Sequence, residues 1–121
     1  MSDPISTFFD AWQLESAEAR LKQITSAVTA NVQYDDPRTP QTLKGVDALT
    51  DYVGMFSANA PGWTAKVIGS DTTAGMTRAT VAFGGKGPDG KEMLQLGQYF
   101  VEQDSDLICR MVGFVGTGDQ Q

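Results

Sequence analysis

Val32-Gln33-Tyr34-Asp35-Asp36-Pro37 is the stretch at which the chain changes character. Strand-like residues run into two carboxylates, and the proline pushes Asp36 into extended geometry and stops the strand. On its N-terminal side the apolar residues recur at helical spacing. On its C-terminal side one more helical pattern is followed by alternating segments that read as strands. The stretch is the hinge between a helical half and a sheet half of one α+β domain.

Working outward, Asp3 before Pro4 reads as a helix cap with proline at the first helical position, and Ile5, Phe8, Phe9 and Trp12 predict a helix over residues 4–14. Ser16 caps a second helix, on which Ala17, Leu21, Ile24 and Val28 form an apolar stripe and Glu18, Arg20, Lys22 and Gln23 face water. After the acidic stretch, residues 38–42 read as a loop. Gly45 leads a third helix carrying Val46, Leu49, Tyr52, Val53 and Phe56, and Pro61-Gly62 ends it.

The remaining chain predicts a four-stranded meander over 63–70, 76–83, 92–102 and 107–114, with turns at 71–75, 84–90 and 104–106. Along the third of these strands, alternation puts Met93, Gln95, Gly97, Tyr99 and Val101 on one face and Leu94, Leu96, Gln98 and Phe100 on the other. Both faces are largely apolar, and three helices can cover only one. The second face predicts a partner sheet, most simply an isologous homodimer through Leu94, Leu96 and Phe100.

The 121 residues suit a single domain spanning 1–121, and 40% hydrophobic with 20% charged residues is a globular composition. The net charge of −6 opposes phosphate contacts, so neither nucleic acid nor an anionic membrane is an expected partner. No basic segment precedes a long apolar run, and a cytoplasmic location is the expectation. With no histidine and one cysteine, Cys109, the chain offers no Ser-His-Asp or Cys-His nucleophile system and no multi-thiolate metal site. No metal and no organic cofactor is expected. Acid–base chemistry would rest on a carboxylate, tyrosine or lysine.

Phe9-Asp10-Ala11-Trp12, the acidic stretch ending at Pro37, Leu43-Lys44-Gly45-Val46 leading to Tyr52, and Val112-Gly113-Phe114 occur in an order that resembles the nuclear transport factor 2-like superfamily, in particular its SnoaL-like and ketosteroid-isomerase-like branch. The resemblance covers nearly the whole chain. It implies a cone-shaped, cystatin-like fold: three N-terminal helices packed on a strongly curved antiparallel sheet, enclosing an apolar pocket. By that comparison Trp12, Tyr34, Asp36, Val53, Phe56, Gln95, Gly97, Tyr99 and Phe114 form the pocket walls, and the outer sheet face makes a dimer.

The same resemblance puts Asp36 at the position of the isomerase's aspartate base, where walls such as Trp12 and Phe56 would desolvate it. The plainer reading is a turn carboxylate bonding nearby amides. The isomerase's two oxyanion donors align with Trp12 and Gly97, which supply no equivalent, and the epoxide-hydrolase pair on the penultimate strand aligns with Gln95 and Gly97. Three functions follow: a binding domain for a small apolar molecule, an isomerase or polyketide-cyclase-like enzyme with Asp36 as general base, and a protein-interaction module. Arg78 and Arg110 read as rim residues or as pocket cations. The glycine-rich 84–90 segment lacks the context of a phosphate loop and reads as a hairpin connection.

Overall fold

The computed structural model describes residues 3–116. Asp3 accepts a hydrogen bond from the Ser6 amide and opens α1, Pro4–Asp10, which tightens into a single 3-10 turn at Ala11–Gln13. Ser16 accepts from the Ala19 amide and opens α2, Ala17–Ala27. The chain passes without a linker into β1, Val28–Asp35, a strand that starts earlier than its Val32-Gln33-Tyr34 core. The short β2, Leu43–Lys44, lies in the segment read as a loop and its exit. Gly45, at φ 91°, turns the chain into α3, Val46–Asn59, and its amide donates to the Val32 carbonyl at 2.9 Å. That positive φ is why glycine stands there.

The meander follows as β3 Thr64–Thr73, β4 Met76–Lys86, β5 Glu92–Asp104 and β6 Leu107–Val115. The strands are longer than expected because two connections are tighter. Ala74-Gly75 and Ser105-Asp106 each place two residues at positive φ, the two-residue hairpin geometry that follows the twist of the strands. The sheet is six-stranded, curved and unclosed, in the order β2-β1-β6-β5-β4-β3. All neighbours are antiparallel except β1 and β6, which run parallel with Tyr34 opposite Met111.

The three helices pack into the concave side. Phe8, Phe9, Ile24, Leu49 and Val53 meet Val81, Val101, Ile108 and Met111 in one continuous core. Each fully buried phenylalanine there contributes roughly 1.5–3 kcal/mol of hydrophobic stabilisation. The stripe predicted on α2 is rotated. Its buried residues are Arg20, Ile24 and Ala27, whereas Ala17 and Leu21 are exposed. Arg20 was expected in water, but its guanidinium donates to the Leu14 carbonyl at 2.6 Å and lies under α3, where a Cβ on Gly54 would come within 3.0 Å of Nη1. Its aliphatic stem can fill apolar space that a shorter residue would leave open.

Arg78 lies on the outer face in a two-pronged bond with Asp71, and Arg110 pairs loosely with Glu102 at 3.9 Å. Cys109 is half-buried, with its thiol against the Glu102 carbonyl. Among the described residues no helix is long and apolar enough to cross a membrane.

Candidate functional site

The strand stop at Pro37 builds the site. β1 delivers Tyr34 into the core, fully buried, and two residues on Asp36 leaves the strand half-buried. Oδ1 of Asp36 accepts from the backbone amides of Arg38 at 2.8 Å and Thr39 at 3.1 Å, while the Thr39 hydroxyl accepts from the Asp36 amide at 3.1 Å. This is the side-chain-closed turn that Asp before Pro favours. Oδ2 points the other way and accepts from the Tyr34 phenol at 2.7 Å and from the Tyr52 phenol at 2.5 Å. The Tyr34 oxygen is in turn 3.2 Å from the Tyr99 hydroxyl.

The chain's three tyrosines thus form one network on Asp36, brought from β1, α3 and β5. Burial raises all three phenol pKa values above the ordinary tyrosine range, and the neighbouring Asp36 charge adds to the rise. The phenols therefore keep their protons at neutral pH. Tyr99 can lie flat because β6 carries Gly113 beneath it, where a Cβ would fall 2.4 Å from the ring.

A cavity of about 480 Å³ opens beside this network. Its apolar wall is aromatic: Trp12, Phe56, Phe83 and Trp63 stand between the α3 side and the sheet. Trp63 donates from its indole to the Lys86 carbonyl and sits over Gly85, where a Cβ would be 2.5 Å from its ring. The glycines read as a hairpin connection therefore include a platform for a cavity aromatic. Exposed Arg38, Asn59 and Gln95 mark the open rim.

Of the residues named in advance, Trp12, Asp36, Phe56, Gln95, Gly97, Tyr99 and Phe114 line the cavity. Tyr34 and Val53 do not. Both are completely buried in the core behind the wall, and Tyr34 reaches the site only through its hydroxyl. Phe114 is 54% exposed and packs edge-on against Phe100, so it serves the rim and the outer face together. The indole nitrogen of Trp12 is buried without a hydrogen-bond partner, and the rings of Phe8 and Tyr52 stand edge-to-face with the indole.

Sequence reasoning did not assign Tyr52 to the site. Its place in the apolar stripe of α3 marked it as core, and the one available signal was a hydroxyl among otherwise hydrocarbon positions. Among the described residues, no three His, Cys, Asp or Glu side chains gather as a metal-ligand set.

No family model matches the sequence, and no curated protein matches it. Solved structures do match. A SnoaL-like family protein from Agrobacterium tumefaciens superposes with a TM-score of 0.78 at 23% identity, over 94% of this chain and 95% of that one. A protein of ketosteroid isomerase-like fold from Catenulispora acidiphila, solved with trimethylamine, gives 0.76 at 10% identity over 93% and 85%. An NTF2-like protein of unknown function from an Exiguobacterium species gives 0.74 at 18% over 93% and 98%. With its helices and curved open sheet superposing on these structures over nearly the whole chain, the chain has the nuclear transport factor 2-like fold.

Proposed function

We propose that the protein binds a small, largely apolar molecule inside its cone. The observation that carries this reading is the open cavity of about 480 Å³ with aromatic walls, a volume in the range of small-molecule sites that side chains have left unfilled. Polar groups at its buried end are few, which suits orientation of a ligand more than strong electrostatic capture. Native mass spectrometry and calorimetry against steroids, polyketides, terpenes and fatty acids test it; uptake with one-to-one stoichiometry per chain is expected, and no uptake across all four classes overturns it.

The alternative, a general base at Asp36, meets a specific obstacle. A carboxylate has about four acceptor sites, and Asp36 already receives four donors. Taking a proton from a carbon acid would require displacing one of the phenols. The arrangement supports holding a ligand over abstracting a proton, and full turnover by Asp36→Asn on any discovered substrate would eliminate the base role.

The outer sheet face supports a homodimer. Leu94, 71% exposed, lies with Leu96, Phe100, Phe114 and Met76 on this convex face, flanked by the Arg78–Asp71 and Arg110–Glu102 pairs. An apolar centre with a charged border is the anatomy of an interface. Sedimentation should give twice the chain mass, and Phe100→Asp should reduce it to one.

A further inference from the structure

The position of each proton in the tyrosine network decides what kind of polar group the cavity accepts. The two backbone amides on Oδ1 of Asp36 can only donate, and both phenols on Oδ2 sit at donor distance. Four donors around one carboxylate are the arrangement of its ionised form, which accepts and never donates. Each phenol has a single proton. That of Tyr52 goes to Asp36, and so does that of Tyr34. The 3.2 Å contact between Tyr34 and Tyr99 then has one possible donor, because Tyr34 has no proton left to give, and the Tyr99 proton must point at the Tyr34 oxygen.

All three phenolic protons are consumed inside the network. Tyr52 and Tyr99, the two tyrosines that line the cavity, are left with oxygen lone pairs alone. The Trp12 indole N–H adds no donor here, since that atom is buried. Among the side chains that line the cavity, the donors not already engaged are at the exposed rim, on Arg38, Asn59 and Gln95.

Resting on the ligand-binding reading above, we infer that the buried end of the cavity recognises a ligand through an N–H or O–H donor, an alcohol or amine group on an apolar body, and discriminates against the corresponding ketone. A carbonyl oxygen would face phenol lone pairs with no proton between them, and an apolar pocket makes an unmet acceptor costly. Asp36 acts here as a positioning residue: it touches the ligand's hydrogen-bond partners and sets their direction.

The rule can be reversed by one substitution. In Asp36→Asn the side-chain oxygen still accepts from the Arg38 and Thr39 amides, while its NH₂ donates to the Tyr34 and Tyr52 oxygens. Tyr52 is then free to turn its proton to the cavity. The Tyr34 proton passes to the Tyr99 oxygen, and the Tyr99 proton is released as well. The same walls would now present donors.

Calorimetric titration of decalin, decalone and decahydronaphthol, three bicyclic probes of nearly equal size, tests this. Wild type should bind the alcohol about tenfold or more tighter than the ketone, and Asp36→Asn should prefer the ketone. A wild-type protein that binds the ketone as tightly as the alcohol overturns the inference, and so does an Asp36→Asn variant that folds and keeps the wild-type order. If all three probes bind equally, the cavity reading stands and the donor rule falls; if none binds, the donor rule falls for this cavity and the four-class uptake screen decides the cavity reading. Should the variant not fold, the wild-type pair decides alone.

Discussion

Two charges, half-buried Asp36 and buried Arg20, lie against α3, and they are treated in opposite ways. Asp36 is surrounded by donors: two amides, two phenols, and a third phenol behind them. Arg20 is more deeply buried and poorly served. One guanidinium nitrogen reaches the Leu14 carbonyl, Nε has no partner, no carboxylate lies within salt-bridge distance among the described residues, and the Thr50 hydroxyl on the facing helix is also orphaned. The first arrangement stands beside a cavity and has a direction to impose. The second lies in solid packing between α2 and α3, and its contribution is shape: a long stem with one tether that holds the entry to α2. Polar saturation, more than burial, separates the side chain with a functional reading from the structural one.

The largest effect should come from removing the saturated charge. Asp36→Ala leaves two phenols and two amides without their acceptor, and should cost about 3–5 kcal/mol in denaturant unfolding. A loss below about 1 kcal/mol would mean that water replaces the carboxylate and that the network is not organised by it.

The tyrosines around Asp36 give the second test, in pH. Burial holds the Tyr34 and Tyr99 pKa values above their unfolded value of 10.0, so both phenols are neutral in both states below that pH and their contribution is complete there. Above about pH 10 the unfolded chain ionises first, and stability should fall by up to about 1.4 kcal/mol per pH unit for each phenol. Tyrosinate absorbance should appear together with unfolding. Absorbance rising for all three tyrosines in the folded protein would sink the buried-network description.

Third is the coupling of Arg20 to Gly54. An alanine at 54 gains helix propensity worth about 1 kcal/mol but puts a methyl against a pinned guanidinium, so Gly54→Ala should destabilise by about 1 kcal/mol net in wild type. In an Arg20→Ala background the same change should stabilise by about 1 kcal/mol. A double-mutant cycle without coupling would show that Arg20 simply moves aside.

The smallest effect is the most diagnostic of under-satisfaction. Thr50→Val replaces a buried, unpartnered hydroxyl by a methyl of equal size and should raise stability by about 0.5–1 kcal/mol. Loss of stability would reveal a hydrogen bond to an ordered water at that point.

How these regions read in the sequence differs for physical reasons. The caps at Asp3 and Ser16, the glycine lead into α3 and the cores of the four long strands are local events, decided by side chains within four residues of one another, and they are where the reading placed them, although the strands run further at their ends. The face of α2 was misread because period alone weighs Leu21 above Arg20. Which one turns inward depends on the Leu14 carbonyl and on the space above Gly54, neither of which is visible in a helical stripe. β2 was missed for a similar reason: a two-residue strand exists only because β1 lies beside it.

The acidic stretch at Pro37 marks the boundary most clearly. From sequence alone come the strand stop, a carboxylate two residues after Tyr34 and directly before proline, the lack of histidine chemistry and the two apolar faces of β5. Only the tertiary structure decides that Tyr52, sixteen residues away, and Tyr99, reached through Tyr34 and sixty-five residues from it, complete the same network. Hydrogen-bond direction belongs to the whole set of partners. No residue in that set carries it by itself, so it becomes legible only once helix, strand and turn have been folded onto one another.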